Sequence, residues 1–223
     1  MTTIATNIAN ASSVGYRANG VSFEAMLSES GATPTTYASA GEDFISRRQG
    51  EVAKTNNPYD MAVVGEGWLA IQTPNGVAYT RDGRMKVTET GDLQTILGFP
   101  ILDAGGSPIA LDPLGGPPTI YRDGMINQGS RQVGAVGLFD IDESAKLTRG
   151  ENSSVVPSKP ATPILDFTRN GIVQGSLENA NVNPLQEMTN LIVTSRSFDD
   201  VNAVNDMMDS SQRNAVKTLG GAG

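Results

Sequence analysis

The strongest constraint on this chain is a very long helical pattern near its carboxyl end, from Asn183 to Leu219. Asn183 is a favourable N-cap, Pro184 suits the first helical position, and Gln186 can complete a capping box. Apolar residues then recur at helical steps: Leu185, Met188, Ile192, Phe198, Val201, Val204, Met208, Ala215 and Leu219. Such a helix spans on the order of 50 Å, whereas an average helix has about 11–12 residues. We therefore expect other helices to cover it.

The apolar stripe of this helix is not a regular heptad. Ile192, Ser195, Phe198, Val201 and Val204 follow one another in steps of three, so the apolar face turns around the axis in mid-helix. Steps of three act like an insertion in a heptad repeat. They overwind a coiled coil locally, or they turn the apolar face toward a second partner. The alternative is a long helix folded back onto its own domain.

Composition excludes several classes of partner. The chain has 223 residues with a net charge of −8, which argues against nucleic acid and anionic membranes. It has 25 Gly, 12 Pro and 5% aromatic residues, which favours short strands and turns in the middle of the chain. No run approaches the roughly 18 apolar residues of a membrane span, and no signal-peptide core is present. We expect any export to proceed without a cleaved leader.

Two missing residue types restrict the chemistry. Without Cys there is no disulfide, thiolate nucleophile or Cys-based metal site, and without His there is no catalytic triad or imidazole base. An enzyme would have to use carboxylates, Lys or Tyr. The segment Gly65–Ala70 fits a dinucleotide pattern, but it reads as a turn entering a strand. The acidic segment Asp140–Glu143 could suggest a calcium-binding loop, but it lacks the central Gly and distal Glu of an EF-hand and reads as a solvated turn. We predict no catalytic, cofactor or metal site.

The first residues predict a short amphipathic helix, Met1–Asn10, with Ile4 and Ile8 on one face. Asn7 and Asn10 disfavour a helix interior, so we expect them to make contacts of their own. Gly15 can take the left-handed conformation that ends a helix. We expect this helix to need the long one, and further helix to precede Met1; the alternative is a frayed tail.

The middle of the chain predicts antiparallel β-structure. Residues 20–58 read as an extended connector with short strands at Tyr37–Ala40 and Asp43–Ser46. Ten short strands should follow, at 61–64, 68–72, 77–80, 85–87, 93–96, 100–102, 109–111, 119–121, 125–127 and 134–140. Turn pairs such as Asn75-Gly76 and Asp123-Gly124 separate them. The expected core contains Trp68, Leu69, Ile71, Val136, Leu138 and Phe139.

After this region the sequence predicts a linker and then a hairpin. Residues 153–163 are rich in Pro and Ser. Ile164–Thr168 and Ile172–Gln174 flank an Arg-Asn-Gly turn, which is typical of a β-hairpin. This hairpin would return the chain to the long helix.

Several segments, in this order, resemble the bacterial flagellar rod and hook family. Near the start, ATNIANA at 5–11 and GYR at 15–17 are similar to the family's amino-terminal signature. In the middle, NPYDMAVVGEGW at 57–68 and YTRDG at 79–83 match its central elements. Near the end, GSLENANVN at 175–183 matches the element that precedes the last helix. LTRGE at 147–151 and the single modest β-region resemble the proximal rod protein F branch.

The resemblance implies a non-enzymatic subunit of the flagellar basal-body rod, which polymerises into the axial drive shaft and transmits torque. It implies copies of the chain and proximal and distal rod proteins as partners, a periplasmic location, and contact with the flagellar type III export apparatus. It implies no nucleic acid and no small-molecule substrate. The alternatives are another axial protein, such as the distal rod protein, or a soluble β-domain that binds a ligand or acts as a carboxylate enzyme.

The expected fold class is α+β. Terminal helices 1–19 and 178–223 would pair as a coiled-coil-like layer. A connector (20–58), a small β-barrel or sandwich (59–152) and a linker with a returning hairpin (153–177) would lie between them. The predicted assembly interface consists of Ile4, Asn7, Ile8, Asn10, Asn181, Asn183, Leu185, Met188, Ile192, Phe198, Val201, Val204, Met208 and Leu219.

Overall fold

A computed structural model describes the backbone of residues 1–28 and 35–220, and side chains for 1–22 and 41–214. Within that part the fold is α+β, as predicted. The helices are α1 (Thr2–Ala9) and α2 (Pro184–Gly220). The strands are β1 (Asn19–Ser28), β2 (Thr35–Ile45), β3 (Val52–Lys54), β4 (Met61–Val64), β5 (Trp68–Thr73), β6 (Gly76–Thr80), β7 (Met85–Val87), β8 (Leu93–Thr95), β9 (Thr119–Ile120), β10 (Met125–Gln128), β11 (Arg131–Ala135), β12 (Leu138–Asp140), β13 (Leu147–Arg149), β14 (Val155–Pro157), β15 (Thr162–Pro163), β16 (Gly171–Gln174) and β17 (Ser176–Glu178).

Every strand pair in the described residues is antiparallel. The largest sheet has six strands in the order β13-β14-β6-β5-β12-β15, and a second sheet has the order β11-β10-β9. Four two-stranded pairs complete the structure: β1-β2, β3-β17, β4-β16 and β7-β8. β3 and β4, early in the chain, pair with β17 and β16 near its end, which brings the two ends of the chain together.

The structure confirms the apolar residues that were predicted to form the core. Trp68, Leu69, Ile71, Val136, Leu138 and Phe139 are all buried. They belong to two clusters on either side of β5: Leu69 and Ile71 pack in one, and Trp68 packs in the other. This division follows from the alternation of side chains along a strand.

The predicted hairpin turns are also confirmed. Gly124 has a φ of +84° and its N–H bonds to the carbonyl of Tyr121, at the turn between β9 and β10. A Cβ at this position would lie 2.4 Å from the carbonyl oxygen of Val136, so only glycine fits. The predicted strand at 134–140 divides into β11 and β12 because the chain crosses there from the three-stranded sheet to the six-stranded sheet.

Several segments between the helices differ from the sequence prediction. The strands expected at 100–102 and 109–111 form only isolated bridges. The strands expected at Tyr37–Ala40 and Asp43–Ser46 form one long strand, β2, which pairs along β1. The stretch expected to be a linker contains β14, whose Val155 is fully buried between β13 and β6. The predicted hairpin of Ile164–Thr168 with Ile172–Gln174 is wrong. β16 pairs instead with β4, a strand that lies far away in the sequence.

The helix ends agree with the prediction in part. Oδ1 of Asn183 accepts the backbone N–H of Gln186 at 3.2 Å, which confirms the N-cap of α2. The side chain of Gln186 donates to Asn190 and not back to the cap, so the second half of the capping box is wrong. α1 ends at Ala9 with Asn10 as its cap, and not at Gly15.

Gly15 has a different role from the predicted helix cap. Its φ is +66°, and its N–H donates to the carbonyl oxygen of Glu178 at 2.7 Å. A Cβ there would lie 2.2 Å from the backbone nitrogen of Asp82. Glycine is therefore required where the amino-terminal loop crosses the backbone of the β-region.

Candidate assembly interface and the buried junction beneath it

The apolar side chains of α2 are largely exposed. From Ser195 to Asn214 every residue is exposed. Nine large apolar residues of this helix are each at least 50% exposed; they are Leu185, Met188, Ile192, Val193, Phe198, Val201, Val204, Met207 and Met208. In water this surface is unfavourable, at about 25 cal/mol per Å² of apolar area. The helix therefore carries a surface suited to a partner.

Seven of these nine side chains form two arcs, and Val193 and Met207 point between them. We call Leu185, Met188 and Ile192 the early arc, and Phe198, Val201, Val204 and Met208 the late arc. At about 100° per residue, the two arcs point in nearly opposite directions around α2. The turn of the apolar face that the sequence indicates is thus present in the helix, and it divides the surface between two directions of contact.

α1 covers one side of the first turns of α2. The half-buried residues Glu187, Asn190, Leu191 and Thr194 mark that side, while Ile4 and Ile8 of α1 are also half-buried. At about 100° per residue, the late arc lies within roughly 35° of this covered side, farther along the helix. The late arc therefore continues the line along which α1 packs, and the early arc faces away from it.

The four asparagines of the predicted interface make hydrogen bonds inside the chain. Buried Asn7 donates to the carbonyl of Asn19 and accepts its N–H, both at 2.9 Å. Asn10 donates to the carbonyl of Thr6. Asn181 accepts the N–H of Ala18 at 2.6 Å and donates to the carbonyl of Arg48 at 2.7 Å. These contacts confirm that Asn7 and Asn10 have partners of their own; a role between chains stays a prediction.

The structure thus separates the predicted interface residues into two groups. Ile4, Asn7, Ile8, Asn10, Asn181 and Asn183 lie where α1 and the start of α2 meet the β-region. The residues of the two arcs lie along α2 on the outside. The side chain of Leu219 is outside the described residues.

Beneath this meeting point lies an ion cluster that the sequence reasoning did not single out. Arg17 and Arg81 both pair with Glu178, and all three side chains are at most 1% exposed. Nη2 of Arg17 lies 2.7 Å from Oε1 of Glu178, and Nη1 of Arg81 lies 3.0 Å from Oε2. We call these three residues the junction triad. Each comes from a different one of the sequence segments that carried the family resemblance.

The surroundings of the junction triad supply further partners. Nη1 of Arg17 donates to the carbonyl of Arg47, and Nη2 of Arg81 donates to that of Gly65 at 2.6 Å. The backbone N–H of Gly50 donates to Oε1 of Glu178. Both guanidinium groups lie over the ring of Trp68, at 5.5 and 5.2 Å from its centroid. The aromatic face offsets part of the positive charge that a single carboxylate leaves unbalanced.

Burial dominates the electrostatics of the cluster. It lowers the pKa of Arg17 to about 10; the charge of Arg81 acts in the same direction and Glu178 opposes both. Burial also lowers the pKa of Arg81, against the opposing effect of Glu178. Two cations held out of water depend on this one carboxylate. The arrangement fastens the loop after α1, the end of β6 and the strand before α2 to one another.

The patterns considered for catalysis or metal binding have structural roles. Trp68 begins a strand after Gly65–Gly67, as predicted, and a strand offers no helix N-terminus to a pyrophosphate. Asp142 is exposed in a turn, where it accepts the N–H of Ser144. Among the described residues no group of three or more carboxylates is placed to hold a metal ion. In the same part of the chain, no helix has the length and apolar character to cross a membrane.

Comparisons with known proteins agree with the resemblance. Residues 62–128 match the family model of the flagellar hook protein FlgE/F/G D1 domain. Residues 173–214 match the model of the flagellar basal body rod FlgEFG protein C-terminal region. The two matches contain Arg81 and Glu178 of the junction triad and most of α2.

Full-length similarity is also high. The flagellar basal-body rod protein FlgF of Mesorhizobium japonicum is 45% identical over 218 residues, covering 98% of this chain and 90% of that protein. FlgF of Rhizobium meliloti is 43% identical over 222 residues, covering 100% and 92%. FlgF of Caulobacter vibrioides is 32% identical over 222 residues, covering 97% and 90%.

Proposed function

Because the chain belongs to the FlgF family of flagellar basal-body rod proteins, we propose that it is a structural subunit of the proximal rod. The family is one of structural proteins and not of enzymes. In this role the chain assembles with copies of itself and with other rod proteins. The observation that carries the proposal is the 37-residue helix α2, whose apolar side chains are exposed in the single chain.

The two arcs of α2 suggest how the subunit packs. We infer that the late arc and α1 belong to one coiled-coil-like layer, because the late arc continues the side of α2 that α1 already covers. The early arc points the other way and would contact a second neighbour. Contacts between different surfaces of identical subunits need not close into a ring, which is how a helical shaft grows.

Torque transmission would follow from the packing of this layer. Close-packed apolar interfaces resist shear because any displacement opens voids between side chains. The junction triad would carry load between the helices and the β-region, since it joins the loop after α1, β6 and the strand before α2. The β-region, as a small barrel or sandwich, would lie outside the helical layer. The division of the chain into terminal helices, connector, β-region and linker, with boundaries at residues 19, 58, 152 and 177, is part of this proposal.

We further propose that the flagellar type III apparatus exports the chain to the periplasm. Export as an unfolded chain is compatible with a sequence that has no disulfide to form. Folding of the terminal helices would then be completed on neighbouring subunits, since apolar helix faces are buried there.

Single substitutions on the two arcs test the assembly. Ile192→Asp and Met208→Asp place a charge on the early and late arc, and we expect each to abolish swimming because a buried unpaired charge is strongly unfavourable. The urea midpoint of the purified chain should change little, because both residues are exposed there. Asn202→Asp, on the polar side of the same helix, is the matched control and should swim.

The proposal fails if both arc variants swim like the parent strain. It also fails if the control is as immotile as they are, because the effect would then not belong to the apolar arcs.

A further inference from the structure

A polar cleft of about 370 Å³ lies beside the junction triad, between the end of α1 and the turn after β13. We call it the Arg149 pocket; its lining consists of Thr6, Asn10, Ser13, Tyr16, Asn19, Arg84, Arg149, Gly150, Asn152 and Ser153. These residues offer two guanidinium groups, three side-chain amides and four hydroxyls. No carboxylate is among them, in a chain whose net charge is −8.

The two arginines of the pocket differ in how their charge is balanced. Arg84 makes a two-point ion pair with Asp82, through Nε at 2.9 Å and Nη2 at 2.7 Å. Arg149 donates only to neutral acceptors, the carbonyl of Arg17 and Oδ1 of Asn19. Its Nε and Nη1 are shielded from solvent and have no hydrogen-bond partner in the described residues. Its guanidinium lies 4.4 Å from the centroid of the Tyr16 ring.

Arg149 is the one arginine of this neighbourhood that has no carboxylate partner in the described residues. The four arginines are Arg17, Arg81, Arg84 and Arg149, while their ion pairs contain only the carboxylates of Glu178 and Asp82. Asp60, Glu66 and Glu187 also act on this neighbourhood, so the imbalance is local to Arg149. Burial lowers the pKa of Arg149, and a nearby anion would have the opposite effect.

The turn that closes the pocket has an unusual backbone. Asn152 and Ser153 have φ values of +48° and +58°, a conformation that residues other than glycine rarely adopt. The side chain of Asn152 donates to Oδ2 of Asp82, which holds the turn against Arg84 and its partner. Strained residues of this kind collect at ligand clamps and switch regions.

From these observations we propose that the Arg149 pocket binds an oxyanion, either a carboxylate or a phosphate. The unbalanced charge of Arg149 supplies the attraction, and the surrounding hydroxyls and amides supply donors. The oxyanion has two possible sources: a free anion in solution, or an aspartate of a second copy of this chain. Asp199, Asp200, Asp206 and Asp209, all exposed on α2, carry the required group. Binding of a free anion does not depend on rod assembly.

Thermal unfolding of the purified full-length chain tests the pocket. We expect sodium phosphate to raise the Tm in a saturable manner, by about 3–5 °C at ten times the Kd, relative to sodium chloride of equal ionic strength. Arg149→Gln should remove the rise and Arg149→Lys should keep part of it, because the charge remains. Arg131→Gln, on an exposed strand position, is the control for loss of one charge and should keep the whole rise.

The proposal is overturned if chloride and phosphate act alike on the parent chain. It is also overturned if phosphate stabilises Arg149→Gln as much as the parent. Circular dichroism of each variant at low temperature establishes that it is folded before it is compared, and Arg149→Lys serves if Arg149→Gln is not.

Sedimentation velocity distinguishes the two sources. If an aspartate of a second copy occupies the pocket, self-association should decrease in Arg149→Gln, in a variant with all four aspartates changed to asparagine, and in phosphate. If the ligand is a free anion, sedimentation should be unchanged while phosphate still raises the Tm. Either result supports an oxyanion pocket when the Tm effect depends on Arg149.

Discussion

At the scale of single residues, Glu178 has the most demanding position in the chain. Each of its carboxylate oxygens serves a different buried arginine. Buried ion pairs add little net stability, because desolvation offsets their attraction, but removing one partner leaves a charge without compensation. The junction triad therefore fixes the geometry of the segments that carry it more than it stabilises the fold.

We expect Glu178→Gln to lower the free energy of unfolding by about 3–5 kcal/mol, because it leaves two buried guanidinium groups with no carboxylate. Urea unfolding followed by the fluorescence of Trp68, which contacts both arginines, measures this loss. Glu89→Gln, in an exposed turn, should stay within about 0.5 kcal/mol of the parent. Equal stability of Glu178→Gln and the parent would show that the triad does not have the proposed role.

Two tyrosines give the chain a predictable response to alkali. Burial raises the pKa of Tyr16 and of Tyr79; at Tyr16 the charge of Arg149 acts against it. Between the ordinary tyrosine pKa of about 10 and the raised value, only the folded state keeps the phenolic proton. Stability should thus fall as pH rises through this window, by up to about 1.4 kcal/mol per pH unit for each tyrosine.

Absorbance of tyrosinate in the folded chain measures these two groups. We expect part of the signal from the five tyrosines to develop late, and Tyr79→Phe to remove some of that late part. Tyr121→Phe, at an exposed position, is the control and should leave the late part unchanged. A titration in which Tyr79→Phe removes only early signal would contradict the burial of Tyr79.

At the scale of helices and strands, the sequence correctly predicted the features that depend on residues close together in the chain. The cap at Asn183, the length of α2, the turn at Gly124 and three strands of the six-stranded sheet (β5, β6 and β12) follow from local patterns. It did not predict the pairing of β16 with β4, because periodicity does not identify a partner about a hundred residues away. The segment containing β14 was misread because its Pro and Ser content is also typical of linkers.

The junction triad was missed for the same reason. Arg17, Arg81 and Glu178 are far apart in the sequence, and each stands in a turn-rich motif that reads locally as surface. GYR and GSLENANVN each hold a single charged residue, Arg17 and Glu178, whereas YTRDG holds Arg81 next to Asp82. Only the topology shows that these three charges meet.

The N-cap of α2 can be tested separately. Asn183→Ala removes the side chain that accepts the N–H of Gln186, and we expect a loss of about 1 kcal/mol together with faster hydrogen exchange at Gln186. Asn205→Ala, in the exposed middle of the same helix, is the matched control and should gain a few tenths of a kcal/mol. Unchanged exchange at Gln186 would mean that Asn183 does not cap the helix.

At the scale of the whole molecule, the chain combines a well-packed β-region with a helix that it does not cover. The two hydrophobic clusters on either side of β5 give the β-region its own core. Most of α2 projects its apolar arcs into solvent. The junction triad and the asparagines around it join these parts. This arrangement fits a subunit that is completed by its neighbours.

The central claim is that neighbouring subunits cover the arcs of α2, and thiol labelling tests it directly. The chain contains no cysteine, so Val201→Cys or Met208→Cys introduces a single reactive group. We predict that a maleimide modifies each thiol rapidly in the purified chain, and at least tenfold more slowly in isolated basal bodies from strains that still swim. Equal rates in the two preparations would contradict the account.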